Sequence, residues 1–326
     1  MLGPIGHLGA GARYLATARR QHASDLLTAE QLAWRDRTLP PGLDVKWLGT
    51  AGFRFAYQGV VVWIDPYVTR LTLGDLLRRR VVAPSRDAIA RWIDRADAIL
   101  VGHTHFDHAL DVPAIAARDR CPVYGSQSLQ HLMGLHGLAE LAHVVEPQRD
   151  YEVGPFKFHF VPSQHSKLQL GIRVPYSGEL TCEHVDALTP QAYRCGQVWG
   201  VYVEVAGVRF YHQGSADLIE DEIHDRGIDV FLCGIAGRRF TPRYVERIVE
   251  RLQPSVIVAT HFDNFFEPLG GEPKLSFNVN LTGFADEVHA ASRDLPGQPP
   301  SPGSSATSSA DGYPVSEQAS AEQACG

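Results

Sequence analysis

The amino-acid sequence predicts an α/β fold in which mixed β-sheets form a sandwich. Two observations predict it: short apolar strand patterns occur early, and they return in the second half of the chain with helical patterns between them. A chain of 326 residues also buries enough apolar surface to need no disulfide scaffold. The sequence predicts one large domain, residues 43–294, between an N-terminal helical extension, residues 1–42, and a disordered Pro/Ser/Gly-rich tail, residues 295–326.

The N-terminal half combines one long helix with several short strands. Residues 14–36 predict a helix, because Leu26, Leu27 and Leu32 can share one face, and Pro40-Pro41-Gly42 ends it. The patterns that follow predict strands at 44–48, 53–57, 60–64 and 98–101, a helix around 86–95, and a helix or loop at 71–80. The last of these strands is entirely apolar, which is typical of a buried strand.

The second half alternates strands with helices. Thr241 and Pro242 predict the start of a helix whose apolar face holds Val245, Ile248 and Leu252. The other patterns predict strands at 156–161, 197–205, 208–212, 230–232 and 255–259, and helices at 112–117 and 126–138. This alternation is typical of mixed sheets flanked by helices.

Composition and charge exclude several classes of protein. The chain has 30 Lys and Arg against 37 Asp and Glu, a net charge of −7, which argues against a general nucleic-acid binder. No segment has the roughly 18 apolar residues that span a bilayer, and the first residues lack the pattern of a secretory signal. We therefore expect a cytoplasmic protein. The five cysteines have no paired pattern, although a single Cys182–Cys195 bridge remains open.

The segment from Val101 to His108 (VGHTHFDH) is the strongest functional signal. It follows an apolar strand pattern and precedes a helical one, so it is predicted to be a loop at the carboxyl end of a strand. In extended backbone the side chains of His103, His105 and Asp107 point to the same side. His108 projects into the same space, because the chain begins to turn there. Three imidazoles and a carboxylate are suitable zinc ligands, so the segment predicts a metal site.

The pattern HxHxDH in this segment resembles the defining motif of the metallo-β-lactamase superfamily. The resemblance covers roughly residues 43–281. Within the superfamily, Trp47–Phe53 and Trp63–Pro66 look like the branch of ascorbate-6-phosphate lactonase-like and N-acylphosphatidylethanolamine phospholipase D-like hydrolases. The resemblance implies an αββα sandwich with a dinuclear site at one edge of the two sheets. It also implies two divalent ions, zinc or else manganese or iron.

The resemblance implies further ligands in later loops. His165 follows the strand pattern at 156–161 and fits the family's lone later histidine, and His261 fits its last histidine. The bridging aspartate departs from the family pattern, because Gly214-Ser215-Ala216-Asp217 stands where family members carry Gly-Asp-Thr. Asp217 is predicted to bridge the two ions from two residues further on. The alternative is that water or His212 completes the second ion.

The implied ligands divide into two sets. The first ion is assigned His103, His105 and His165, and the second is assigned Asp107, His108 and His261. Asp65 and Asp263 are predicted to accept hydrogen bonds from ligand imidazoles and so to orient them. A simple turn before proline is the alternative for Asp65.

Hydrolysis is the reaction class that such a site favours. Two close cations lower the pKa of a shared water so that it attacks as a metal-activated hydroxide, and Asp107 holds its proton. We expect a lactonase, esterase or phosphodiesterase that cleaves an ester, lactone, amide or phosphodiester bond of a small anionic or lipid-like substrate. The alternatives are a metal-binding protein of this fold without turnover and a nucleic-acid-processing phosphodiesterase.

The expected partner is a small-molecule substrate, and no nucleic acid is expected. Arg78-Arg79-Arg80 is interpreted as a solvated charged face, with an anionic substrate or a membrane surface as the alternatives. The N-terminal helix leaves three roles open: to cover the site, to form a homo-oligomer or to lie on lipid.

Overall fold

The computed structural model describes residues 4–31, 39–271, 274–277 and 279–293. The strands of this part of the chain are β1 (Asp44–Trp47), β2 (Phe53–Tyr57), β3 (Val60–Ile64), β4 (Ala98–Leu100), β5 (Val123–Gly125), β6 (Ala142–Val144), β7 (Tyr151–Val153), β8 (Phe156–Ser163), β9 (Val198–Val205), β10 (Val208–Gln213), β11 (Val230–Gly234) and β12 (Val256–Thr260). The α-helices are α1 (Pro4–Gln31), α2 (Leu73–Arg78), α3 (Arg86–Trp92), α4 (Phe106–Ala109), α5 (Val112–Asp119), α6 (Gln127–Leu135), α7 (Tyr244–Leu252) and α8 (Leu281–Arg293).

The strands form two mixed sheets. The first has the order β1-β2-β3-β4-β5-β6, and the second has the order β12-β11-β10-β9-β8-β7. Strands β1 to β3 are antiparallel neighbours and β3 to β6 are parallel. In the second sheet β7 to β10 are antiparallel, and β10, β11 and β12 are parallel. Because parallel strands share a direction, the loops after β3 and β4 leave the same edge of the first sheet, and those after β11 and β12 leave one edge of the second.

Two apolar layers join the sheets to each other and to the helices. One packs the sheets together, where Phe55 of β2 meets Phe210 of β10 with ring centroids 5.1 Å apart, and it continues to α7 and α8. The other packs the first sheet against α3, α5 and α6, and it includes Trp63, Ile89 and Ile115. The predicted α/β class and the αββα sandwich are confirmed.

Local sequence predicts some elements better than others. Strands β2 and β3 have the predicted bounds. The three-residue strands β5, β6 and β7 are missing from the prediction, whereas β4, equally short, was recognised because its residues are all apolar. The predicted start of α7 is wrong. The Thr241 hydroxyl donates to the carbonyl of Ala216 instead of capping the helix, and the helix begins after Arg243, which has a φ of 53°.

Helix α1 lies against the start of α8 through polar side chains. Gln21 Nε2 donates to Asn280 Oδ1 over 2.9 Å, and the backbone N–H of Thr282 donates to Asp25 Oδ1 over 2.9 Å. The structure describes this helix from Pro4 to Gln31, and its predicted end at residue 36 lies outside the described residues. The predicted tail at 295–326 lies outside them as well.

Two other expectations concern segments that the structure describes. Cys182 and Cys195 are both free thiols, so the bridge that the sequence left open does not form between them. Among the described helices, none combines the length and the hydropathy needed to cross a bilayer.

Candidate metal centre

The histidines of the predicted motif lie where the chain leaves β4. His103 and His105 are in the loop after the strand, and His105 (φ −61°, ψ 154°) directly precedes the short helix α4. Asp107 and His108 are inside α4. The extended run expected for the whole motif is therefore wrong at Asp107. The change from loop to helix instead turns Asp107 away from the first two histidines and toward a second group.

The first group consists of three imidazoles, His103, His105 and His165, whose candidate ligand atoms all lie within 4.8 Å of one another. His103 Nε2 and His105 Nδ1 face each other at 3.0 Å. The outer nitrogens are held by backbone carbonyls. His105 Nε2 donates to Pro175 O over 2.9 Å, and His165 Nδ1 donates to Ser166 O over 2.8 Å. Each of these two rings therefore keeps its other nitrogen as an acceptor that faces the group.

The second group consists of Asp107, His108 and His261, also with candidate ligand atoms within 4.8 Å of one another. Asp107 Oδ2 lies 3.3 Å from His261 Nε2 and 3.9 Å from His108 Nε2. His108 Nδ1 is 2.8 Å from Asp65 Oδ2, and the other carboxylate oxygen of Asp65 accepts from the backbone N–H of Gly102 over 2.7 Å. Asp65 thus contacts an imidazole as predicted, and this contact turns His108 Nε2 toward Asp107.

The two groups are adjacent. The ring centroids of His103, from the first group, and His108, from the second, are only 3.8 Å apart. The two groups contain the same residues as the two sets of ligands that the resemblance implied. That these residues bind ions remains a prediction, but imidazole and carboxylate donors in clusters of three are the set expected for zinc or a similar divalent ion.

Burial and neighbouring charges together set the pKa values of the side chains in the two groups. It lowers the pKa of His103 well below its ordinary value, and it lowers the pKa of His105 to about 4 and that of His165 to about 3. Burial alone would raise the pKa of Asp107, but His108 and other nearby imidazoles outweigh it and lower that pKa. In the second group, burial would lower the pKa of His108, but the carboxylates of Asp65 and Asp107 outweigh it and raise that pKa. The neutral imidazoles of the first group and the ionised Asp107 are forms that bind a cation, so these side chains fit a divalent ion.

Gly214 allows the second sheet to approach the second group. A Cβ at this position would lie 3.0 Å from Asp65 Oδ2 and 3.1 Å from His108 Cε1. Ser215, which occupies the family's aspartate position, is buried, and its hydroxyl donates to Gln164 O over 2.9 Å. The local backbone therefore comes close to the site without supplying a carboxylate there.

Three predicted residues lie outside the two groups. The structure does not bring Asp217 to a bridging position, because its carboxylate accepts from Arg247 Nη1 over 3.1 Å and from the N–H of Leu218 over 2.9 Å. His212 is buried and donates from Nε2 to Ala51 O over 2.8 Å. Asp263, expected to hold an imidazole, pairs with Arg70 instead.

The pair of Arg70 and Asp263 joins two loops beside the site. Both side chains are 2% exposed, and Arg70 Nη1 lies 2.8 Å from Asp263 Oδ2. Asp263 Oδ1 accepts from the N–H of Thr50 over 2.7 Å, and the carbonyl of Thr50 accepts from the N–H of His261 over 2.8 Å. Arg70 also donates to Leu48 O over 2.9 Å. Sequence reasoning missed Arg70, because a single arginine between short elements carries no local signal.

Comparison with known proteins identifies the class to which this fold and site belong. Residues 44–261 match the family described as the beta-lactamase superfamily domain. The chain therefore belongs to the beta-lactamase superfamily.

Individual relatives carry a more specific description. A protein of Polaromonas sp. named "UPF0173 metal-dependent hydrolase" is 25% identical over 242 residues, which are 70% of this chain and 79% of the relative. A protein of the same name from Geobacillus thermodenitrificans is 26% identical over 237 residues, 71% of this chain and 90% of the relative. Among solved structures, Igni18, described as a novel metallo hydrolase from Ignicoccus hospitalis, matches with a TM-score of 0.50 at 16% identity, over 77% of this chain and 91% of that one. At this identity the likeness concerns the fold.

Proposed function

We propose that this protein is a metal-dependent hydrolase with two divalent ions, zinc or else manganese or iron, held by the two groups. The observation that carries the proposal is the adjacency of two three-residue clusters whose donors are imidazoles and one carboxylate. The relatives named as metal-dependent hydrolases support the same class of activity. The substrate that we propose is small, with an ester, lactone, amide or phosphodiester bond.

Divalent ions bound here would supply Lewis-acid chemistry, which polarises a substrate oxygen and makes water a better nucleophile. The chain's own residues supply orientation and proton transfer. Asp107 is ionised and buried, so Oδ2 can accept the proton of an attacking water. Asp65 holds His108 through Nδ1, and the carbonyl of Pro175 holds His105 through Nε2. Both ligand rings are therefore oriented before an ion binds, as outer partners of metal-binding histidines do.

We also propose that the chain lies nearest the lactonase-like and phospholipase-D-like branch. The segments that resemble the branch, Trp47–Phe53 and Trp63–Pro66, supply contacts to the site. The carbonyl of Thr50 accepts from the N–H of His261, and Asp65 contacts His108. A cytoplasmic location, a homo-oligomer and the absence of a nucleic-acid partner remain predictions.

Metal analysis of the purified protein tests the first half of the proposal. We expect one to two equivalents of a divalent transition metal in the wild type and a clear loss in His105→Ala. His22→Ala is the matched control, because His22 is exposed on α1 and its loss leaves the two groups unchanged. A wild type without metal after incubation with zinc, or full occupancy of His105→Ala, would contradict the assignment.

Turnover tests the second half. The metal-loaded protein is assayed with a lactone, a p-nitrophenyl ester and bis(p-nitrophenyl)phosphate, each with and without a chelator. We expect hydrolysis of at least one substrate that stops with the chelator and returns with zinc. Stoichiometric metal without turnover of any of the three would favour the metal-binding alternative, which the missing bridging carboxylate also favours: Asp217 is paired with Arg247.

A further inference from the structure

The turn that ends α2 exposes apolar and basic side chains together. The five consecutive residues from Leu77 to Val81 are all exposed. Leu73 is 52% exposed, Leu77 73% and Val81 54%. Leu73 and Leu77 are four residues apart in a helix, so they lie on the same face. Large aliphatic side chains this exposed, on one short segment, favour an apolar contact that the isolated chain does not provide.

Arginines surround these aliphatic side chains. Arg78, Arg79 and Arg80 follow Leu77 directly and are exposed. Among the described residues, these arginines form one ion pair, in which Arg80 Nη1 lies 3.8 Å from Asp75 Oδ1. The carboxylate of Asp75 is already bonded to the N–H and hydroxyl of Thr72 in a capping box. The arginine charges are therefore largely uncompensated, although the chain as a whole carries a net charge of −7.

The exposed turn is anchored to the body of the protein. Leu76 O accepts from Gln191 Nε2 over 2.7 Å, and the N–H of Val82 donates to Leu188 O over 2.9 Å. Gln191 and Leu188 belong to the insert between β8 and β9, which also supplies the Pro175 carbonyl to His105. A lipid or protein surface bound at this turn would therefore contact an element that is hydrogen-bonded to the insert beside the candidate metal centre.

We propose that Leu73–Val81 is a membrane-contact segment that binds a lipid surface with anionic headgroups. The aliphatic side chains enter the interface between headgroups and acyl chains, and the arginines pair with lipid phosphates. A bilayer is favoured over an acidic protein because exposed aliphatic and basic side chains lie together within one short segment. A lipid surface offers acyl chains to the former and phosphates to the latter at the same depth.

Vesicle co-sedimentation of the full chain tests the proposal. Vesicles of phosphatidylcholine with phosphatidylglycerol are compared with vesicles of phosphatidylcholine alone, at low and high salt. We expect binding to the anionic vesicles that weakens with salt. The double variant Arg78→Gln/Arg79→Asn is expected to lower the partition coefficient about 25-fold, about fivefold for each arginine removed. Asn is chosen at 79 because this residue has a φ of 51°, which Asn tolerates.

A second variant and a matched control separate this segment from the rest of the chain. Leu77→Gln keeps good helix propensity and is expected to weaken binding even at high salt, because it removes the apolar contact. The control Arg19→Gln/Arg20→Gln removes two exposed arginines from α1 and is expected to leave binding unchanged. No binding by the wild type, or an equal loss in the control, would overturn the proposal. Circular dichroism and the Tm of each variant establish that it is folded.

Discussion

Replacing Arg70 with methionine is expected to destabilise the protein strongly. The guanidinium is 2% exposed and forms three contacts: one with the carboxylate of Asp263, one with the carbonyl of Leu48, and a cation–π contact with its centre 5.4 Å from the ring of Tyr67. Methionine fills a similar volume, so the main loss is electrostatic. It leaves the carboxylate of Asp263 buried without its cation.

The magnitude follows from that unpaired charge. Removing one partner of a buried ion pair costs about 3–5 kcal/mol, because the remaining charge is desolvated without compensation. Among the described residues, the hydrogen-bond donor that remains to Asp263 is the N–H of Thr50. If Asp263 is also changed to Asn, the buried charge disappears while its Oδ1 can still accept from Thr50. The double variant Arg70→Met/Asp263→Asn is therefore expected to be more stable than Arg70→Met alone.

Urea unfolding of the metal-free proteins, followed by circular dichroism, measures these differences in the free energy of unfolding. Arg243→Met is the matched control. Arg243 has nearly the same φ as Arg70, 53° against 51°, so both substitutions have similar backbone strain. Its ion pair with Glu246 is exposed, and solvent screens such pairs, so we expect almost no change.

Two results would refute the reasoning. One is a cost for Arg70→Met of less than about 1 kcal/mol, the upper range for an exposed pair. The other is a further loss of stability when Asp263→Asn is added, which would mean that the carboxylate is not destabilised by the loss of Arg70.

Three further predictions concern the site and the sheet that supports it. Asp65→Asn is expected to weaken metal retention about 10- to 100-fold, measured by competition with a chelator, because it changes the acceptor that orients His108; unchanged retention would contradict this role. Gly214→Ala places a methyl group 3.1 Å from His108 Cε1 and is expected to lower the metal content of the protein, so full content would count against the close approach. Gly200→Ala places a methyl group 2.2 Å from the hydroxyl of buried Tyr211. It is expected to lower the free energy of unfolding in urea by about 1–3 kcal/mol, and wild-type stability would disprove this contact.

Local patterns predicted a large part of the fold. Strands β2 and β3 have the predicted bounds, 53–57 and 60–64. The first residue of α7 was wrong because the Thr241 hydroxyl found a more distant partner, the carbonyl of Ala216. A capping hydroxyl accepts from a backbone N–H of the helix that follows it, and the sequence shows this local partner but not a distant carbonyl that the hydroxyl can reach instead.

The local sequence by itself singled out four of the six candidate donors, because residues 103–108 form one short motif after a predicted strand. The resemblance to the family added His165 and His261, and it also added Asp217, which lies outside the two groups. His103, His105, Asp107 and His108 are close in space because they are close in the chain. The resemblance to the family also implied how these donors divide, and the tertiary structure supplies the physical reason: helix α4 begins after His105, so Asp107 and His108 belong to the second group.

The tertiary structure also decided which distant side chains join the site. Asp65 reaches His108, Asp263 turns to Arg70, and Asp217 turns to Arg247 instead of the metal groups. The sequence had predicted an imidazole partner for Asp65 and Asp263 and a bridging position for Asp217. The physical reason for the outcome is that a buried or partly buried carboxylate pairs with a donor close to it in space, and proximity between residues 30 to 193 positions apart is created only by the tertiary fold.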